Sequence, residues 1–226
     1  MTLNIRSELF KLQDKKYREF QLSLVPGINP ECMIGVRLPE LRKLAKKAAA
    51  EESVSLETYY YEERMIAGMI IGYKKCAIET RLEMLQKFVP LIDNWAVCDC
   101  CCSTFKFASK NLCEMWNFIA SYTDKSEYEV RFAIIMMMDY FLNDDYIDRV
   151  LKIISSLDRK EYYINMGAAW ALATAYVSYP EKVLKLIKEG SLSSEIHNKA
   201  IQKMRESRRV SKEDKEMLLK YKRKNN

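Results

Sequence analysis

The sequence is poor in the residues that interrupt helices. It contains 6 glycines and 5 prolines in 226 residues, and no proline falls between Pro90 and Pro180. Leu, Lys, Glu, Met and Ala, which favour helices, fill that interval. The composition therefore predicts a chain that is almost entirely α-helical.

Long hydrophobic runs are also absent. The longest extends over seven residues from Phe132 to Met138 and is closed by Asp139, whereas a membrane span needs roughly 18 apolar residues. The N-terminus is charged from Arg6 onward and lacks the apolar core of a signal peptide. We therefore expect no membrane partner and a cytoplasmic location.

The 7 cysteines are odd in number and clustered, so they do not suggest a disulfide framework in a chain of this size. Cys98, Cys100, Cys101 and Cys102 suggest a zinc site as one alternative. On a single helix, however, Cys98 shares a face with Cys101 or Cys102 while Cys100 points elsewhere, which disfavours tetrahedral closure. We expect buried thiols in a reducing compartment, no metal and no organic cofactor.

Positive charge is scarce over most of the chain and concentrated near its end. The net charge is +6, but residues 199–226 carry eleven Lys and Arg against four Asp and Glu, so the other residues sum to −1. A basic segment on a near-neutral body suggests a polyanionic partner. Solvated terminal helices are often rich in lysine, however, so charge alone leaves nucleic acid as one of two alternatives.

Apolar periodicity indicates where the helices lie. The predicted helices cover residues 4–12, 15–25, 39–50, 56–72, 75–88, 92–107, 110–121, 127–142, 144–155, 160–178, 180–189, 193–206 and 211–223. Because the connections are short, we expect consecutive helices to be antiparallel neighbours.

Three of these helices open with similar segments, at residues 61–67, 128–134 and 163–169. Spacings of roughly 35 to 40 residues fit two-helix repeats of the HEAT type. The sequence therefore predicts one domain over residues 1–226, an all-α curved solenoid (superhelix) of HEAT-like hairpin repeats. Its inner helices would line a concave groove, and its basic C-terminal helical segment would start at about residue 199.

Two residues stand out within the predicted helix 92–107. Trp95 and Asp99 are four positions apart, so they project from one helix face. A carboxylate beside an indole places a negative charge and a π face against a positively charged centre. The alternative is a structural one, in which the tryptophan is buried and the aspartate is solvated or caps a helix.

Arg131 follows Asp99 by 32 residues and Trp170 follows Arg131 by 39, which is about one repeat each. The four residues would then stand on consecutive inner helices and converge in the groove. Arg131 sits in an apolar run, where an unpaired guanidinium is costly. The structural alternatives are that Arg131 pairs with Glu127 or Glu129 and that Trp170 packs in the core.

These residues carry a resemblance to a known family. The segments 35–44, 93–99, 130–132, 169–170 and 197–203 resemble those of the AlkD-type bacterial DNA alkylation repair glycosylases, which are HEAT-like solenoids. In that family a tryptophan four residues before an aspartate, then an arginine, then another tryptophan form the catalytic cleft. Trp95, Asp99, Arg131 and Trp170 match that pattern in type, order and approximate spacing.

The resemblance implies a monofunctional DNA N-glycosylase, a hydrolase that excises positively charged N3- or N7-alkylated purines from duplex DNA. Asp99 would stabilise the oxocarbenium that develops on the sugar, and the indoles of Trp95 and Trp170 would face it. Arg131 would hold a backbone phosphate. The triplet Cys100–Cys102 that follows the motif departs from the best-known enzyme and is similar to a sub-branch of the family.

Five residues of the basic segment are expected to contact further phosphates, because they lie within or just after the family-like residues 197–203. They are Lys199, Lys203, Arg205, Arg208 and Arg209. His197, the only histidine, is interpreted as structural or capping rather than as an acid or base. Glu62 and Glu63 are candidates to cap the helix that follows them.

Two other function classes compete with the enzyme. One is a non-catalytic HEAT-like solenoid that binds distorted or branched DNA, for which Asp99 would have no use. The other is a helical scaffold for protein interactions, which would leave the Trp–Asp–Arg–Trp set unexplained. We expect the protein to act as a monomer on double-stranded DNA that contains alkylated bases.

Overall fold

The structure is a computed structural model, and it describes residues 2–224. Residues 1, 225 and 226, which belong to the predicted domain 1–226, lie outside this range. The chain is 69% helical, with 13 α-helices in the described part and almost no sheet, so the all-α prediction is confirmed. The Cα positions fall into two compact units, Met1–Phe118 and Ile119–Asn226. The curved single solenoid stays a prediction.

The first unit begins with strand β1 (Leu3–Asn4), which pairs in parallel with β2 (Val54–Ser55). Its helices are α1 (Ile5–Lys11), α2 (Lys15–Leu24), α3 (Leu38–Ala50), α4 (Tyr61–Tyr73), α5 (Ile78–Phe88), α6 (Trp95–Cys102) and α7 (Leu112–Ala120), the last of which ends just past the boundary between the units. Short 3₁₀ segments cover Pro30–Cys32, Val89–Leu91 and Lys106–Lys110. Helix α4 packs against α3 on one side and α6 on the other.

The first turn of α4 carries two buried acids. Glu62 is 1% exposed, and its carboxylate accepts hydrogen bonds from the backbone N–H groups of residues 34, 35 and 36 at 3.0, 2.7 and 3.2 Å. Burial raises the pKa of Glu62. Glu63 accepts from the backbone N–H of Tyr60 at 3.0 Å and pairs with Arg6 at 2.7 Å. Glu63 therefore caps α4 as predicted, whereas Glu62 holds the loop before α3 instead.

A small residue allows α4 and α6 to approach closely. A Cβ added at Gly68 would lie 2.4 Å from Cζ of Phe88 and 2.5 Å from Sγ of Cys101. Real side chains do not tolerate such distances, so only glycine fits here. This close contact sets which face of α6 is buried and therefore which face is exposed.

The second unit contains α8 (Glu127–Tyr140), α9 (Ile147–Ser156), α10 (Tyr162–Ser178), α11 (Pro180–Glu189), α12 (Ser194–Glu206) and α13 (Lys212–Leu219). Helix α10 packs between α8 and α12, while α9 and α11 contact α10 and α13 contacts α12. Alternate helices therefore form a row, which is consistent with the predicted helical hairpins. None of the helices in residues 2–224 is long and apolar enough to cross a membrane.

Three predicted helices differ from the observed ones by four or five residues at one end. The helix predicted at 56–72 begins at Tyr61, because residues 54–55 pair with the distant β1. The helix predicted at 92–107 ends at Cys102, where the hydroxyls of Ser103 and Thr104 donate to the carbonyls of residues 100 and 101. The helix predicted at 211–223 ends at Leu219.

Candidate active site and nucleic-acid interface

Helix α6 carries the first pair of candidate residues. Asn94 caps it, because its Oδ1 accepts a hydrogen bond from the backbone N–H of Val97 at 2.9 Å. The inward face of α6 is fully packed and consists of Ala96, Val97, Cys98, Cys101 and Cys102. Trp95 and Asp99 are partly exposed one turn apart. Trp95 is therefore not fully buried, in contrast to the structural alternative.

The indole of Trp95 is held in place from α2. Its Nε1–H donates to the carbonyl oxygen of Leu24 at 3.3 Å. The ring is thus fixed at its polar edge while part of it stays accessible. A fixed indole keeps its π face in one orientation relative to the carboxylate on the next turn.

The cysteine cluster around Asp99 is part of the packing. Cys98, Cys101 and Cys102 are buried, and Sγ of Cys101 contacts the carbonyl of Met65 at 3.5 Å. Burial, and then the negative charge of Asp99, raise the pKa of Cys100 to about 11. Within residues 2–224, no three His, Cys, Asp or Glu side chains are grouped to hold a metal ion. Because burial raises the pKa of both Cys100 and Cys101, these two thiols are protonated at neutral pH and are weak nucleophiles.

Arg131 lies in the first turns of α8 and contacts α10. It is 5% exposed, and its Nη1 donates to the carbonyl oxygen of Tyr163 at 2.8 Å. Glu127 accepts the backbone N–H of the same Tyr163 at 2.8 Å. Glu129 instead accepts from the backbone N–H of Ser126 at 3.1 Å and so caps α8. Two α8 side chains therefore bind both backbone polar groups of one residue, Tyr163, at the start of α10.

Trp170 lies on the same face of α10 as Gly167, the glycine that contacts Arg131. A Cβ added at Gly167 would lie 3.5 Å from Nη1 of Arg131, so the guanidinium covers this glycine. Trp170 follows three residues later on that helix face. It is 41% exposed, and packing in the core does not explain it.

The structure thus brings the four residues together in two pairs. Trp95 and Asp99 share α6 in the first unit, and Arg131 and Trp170 lie on the contacting helices α8 and α10 in the second unit. That both pairs line one cleft stays a prediction.

The predicted phosphate contacts lie on and just after α12. Lys203 pairs with Glu206 at 3.1 Å, and Lys199 donates to Gln202 at 3.3 Å; both lysines are half-buried. The three arginines are exposed and have no carboxylate partner in residues 2–224: Arg205, Arg208 and Arg209. The arginines are therefore better placed to bind phosphate than the two lysines.

His197 fastens the C-terminal segment to α12. It is 2% exposed, and its Nε2 lies 2.8 Å from the carbonyl oxygen of Tyr221. Next to it, Asn198 exchanges two hydrogen bonds with the backbone of Arg223, at 3.0 and 2.9 Å. This agrees with the structural role predicted for His197 and explains why the segment after Leu219 is not helical.

A comparison with known families identifies the chain. The family described as DNA alkylation repair enzyme matches residues 5–211, which include every candidate site residue named above. The chain belongs to the DNA alkylation repair enzyme family. The resemblance drawn from its sequence is confirmed at this level, and with it an enzymatic role in DNA alkylation repair and DNA as the partner. No curated protein and no solved structure matches the chain.

Several contacts of the candidate site residues in this member of the DNA alkylation repair family could not be predicted from its sequence. Nothing in the sequence showed that Arg131 lies over Gly167 or binds the peptide of Tyr163, because these residues are more than 30 positions apart. The Gly-Ala-Ala segment before Trp170 was the only local signal of a close contact. Two exposed cations on α3, Arg42 and Lys46, were also missed.

Proposed function

We propose that this protein is a monofunctional DNA glycosylase that excises positively charged N3- or N7-alkylated purines from duplex DNA. The observation that carries the proposal is the outward pair Trp95 and Asp99 on α6, whose other face is fully packed. Family membership supplies the substrate class, damaged DNA. The accessible carboxylate supplies a group suited to cleavage of a glycosidic bond.

The chemistry starts from a substrate that is already cationic. When the N-glycosidic bond breaks, its electron pair neutralises the alkylated base, and positive charge develops on the deoxyribose. Asp99 stabilises this oxocarbenium by charge and accepts a proton from the water that adds to the sugar. The products are a free alkylpurine and an abasic site, and no cofactor takes part.

The two indoles add to this stabilisation. An aromatic face near a cation contributes roughly 0.5–2 kcal/mol, and more when water is excluded. Trp95 is fixed by its hydrogen bond to Leu24, and Trp170 exposes 41% of its surface. We assign both side chains to the face of the sugar, where they also exclude bulk water.

Arg131 and the exposed arginines hold the DNA backbone in this proposal. The guanidinium of Arg131 has five N–H donors in a rigid fork, and its Nη1 uses the Tyr163 carbonyl as one anchor. An arginine anchored in this way fixes the register of the strand that it binds. Arg205, Arg208 and Arg209 add sequence-independent attraction for phosphates.

The test is release of base from duplex DNA that contains N7-methylguanine or N3-methyladenine, measured under single-turnover conditions with and without a chelator. We expect release of both bases, leaving abasic sites, at the same rate in the chelator. Undamaged duplex should bind but lose no base. Tight binding to distorted or branched DNA without any release would contradict the glycosylase proposal and favour a non-catalytic DNA-binding protein.

A further inference from the structure

Helix α3 of the first unit presents a row of cations. Its buried face consists of apolar side chains, namely Leu41, Leu44, Ala45 and Ala48. All four charged residues between them are exposed and basic: Arg42, Lys43, Lys46 and Lys47. The solvent-facing side of this helix between residues 42 and 47 is therefore uniformly positive.

Two of these four cations lie near acids, one of them in an ion pair. Lys43 pairs with Glu40 at 2.8 Å. The pKa of Glu8 is lowered first by its hydrogen bond from Lys11 and also by the nearby charge of Lys47. Residues 43 and 47, which share one stripe of the helix, thus lie near carboxylates, although only Lys43 makes an ion pair.

The other two cations lack such partners. Arg42 and Lys46 share the adjacent stripe, and neither makes an ion pair with a carboxylate anywhere in residues 2–224. The ammonium of Lys46 instead lies 5.3 Å from the centre of the Tyr73 ring, at the end of α4. A cation held over an aromatic ring keeps its position without losing its charge.

Helix α3 and the candidate catalytic helix α6 both pack against α4. The positive charge of Arg42 also acts on the thiol of Cys100 and opposes the rise of that thiol's pKa. Cys100 is the residue directly after Asp99 on α6. The unpaired stripe of α3 and the catalytic carboxylate therefore lie on two helices that pack against the same neighbour, α4.

We propose that Arg42 and Lys46 bind backbone phosphates of the damaged duplex and position the strand over α6 beside Asp99. The inference rests on the proposed function, since it takes DNA as the substrate. It adds a binding surface in the first unit to the contacts assigned to Arg131 and to the basic C-terminal segment. Because only phosphates are contacted, this surface carries no sequence preference.

The role is one of positioning, so it affects binding more than chemistry. Arg42 and Lys46 have no contact with the reacting atoms in this proposal. Their loss should raise the enzyme concentration that gives half-maximal excision under single-turnover conditions. The limiting rate at saturating enzyme should stay close to that of the wild type.

The experiment compares two double variants that lose the same charge from the same helix. The first, Arg42→Ala with Lys46→Ala, removes the unpaired stripe, and the second, Lys43→Ala with Lys47→Ala, removes the paired one. Binding to undamaged duplex DNA is measured over a series of salt concentrations. Each lost phosphate contact lowers the salt slope by about 0.9, so the first variant should lose about two units and the second much less.

A charge-preserving variant guards against a change in folding. Arg42→Lys with Lys46→Arg should keep a salt slope close to that of the wild type. Equal slopes for the two alanine variants would overturn the inference, because general electrostatic attraction would then explain the result.

The binding readout separates this inference from the proposed function. A wild-type protein that binds duplex but releases no base would contradict the glycosylase proposal, and the slopes would still decide the role of α3. A protein that excises base normally but shows equal slopes would overturn only the inference about α3.

Discussion

Trp95 and Asp99 share one helix, whereas the placement of Arg131 and Trp170 depends on the contact between two. In the first unit, the Asn94 cap and the four-residue spacing suffice to place both side chains on one face of α6. In the second unit, the position of Arg131 depends on its bond to Tyr163 and on the space above Gly167.

The two regions also differ in what their polar groups do. Asp99 lies at a partly exposed surface, whereas Arg131 is almost completely buried. Arg131 binds a backbone carbonyl at the start of α10 in addition to its proposed role in the site. A variant at Asp99 should therefore change chemistry with little effect on folding. A variant at Arg131 should change both the stability of the fold and the binding of DNA.

The largest effect on stability is expected from Arg131→Ala. It leaves the carbonyl of Tyr163 without its charged donor, and hydrogen bonds to charged groups contribute about 1.5–3 kcal/mol. Chemical denaturation should show a loss in the free energy of unfolding of that size. Duplex affinity should also fall, to the same extent for different sequences; a fall confined to one sequence would contradict a phosphate contact.

The contrast between the two pairs explains what the sequence could predict. The α6 pair follows from spacing alone, and the apolar period locates each helix of the second unit. The partner of Arg131 is 32 residues away, and the start of α4 is set by a strand pair between residues 3–4 and 54–55. Neither contact leaves a local pattern. The unpaired state of Arg42 likewise depends on where distant acids lie.

A glycine in each unit allows a matched test of packing. Gly68→Ala places a Cβ within 2.5 Å of two side-chain atoms at the α4–α6 contact, and such overpacking costs about 1–3 kcal/mol. Gly167→Ala meets only ordinary contacts of 3.5 Å or more, and alanine favours a helix by about 1 kcal/mol. The thermal midpoint should fall for the first variant and hold or rise for the second. A fall of equal size in both would show that the two contacts are alike.

The smallest effect is expected from the titration of His197. Burial, aided by the charge of Arg223, lowers the pKa of His197 below its ordinary value. The unfolded chain then binds a proton that the folded chain does not, so stability should decrease as the pH falls through about 6.5. The decrease should level off once the pH is below the folded-state pKa.

Because His197 is the only histidine, His197→Gln is a clean control. Its free energy of unfolding, followed by denaturation across the same pH range, should lack the change near pH 6.5. A wild-type profile that is flat through this range would contradict a depressed pKa at His197.

The account rests most directly on Asp99, and its decisive measurement is single-turnover release of N7-methylguanine from duplex DNA by the wild type and by Asp99→Asn. The amide keeps the shape of the carboxylate but loses its charge, and removal of one such electrostatic group typically costs a factor of about 100 to 1000 in rate. Affinity for undamaged duplex should hold or rise slightly, because an anion beside the phosphates is removed. A rate reduced to that extent with folding and DNA binding intact is the predicted result. Equal rates for the two proteins would contradict the assignment of Asp99 as the catalytic carboxylate.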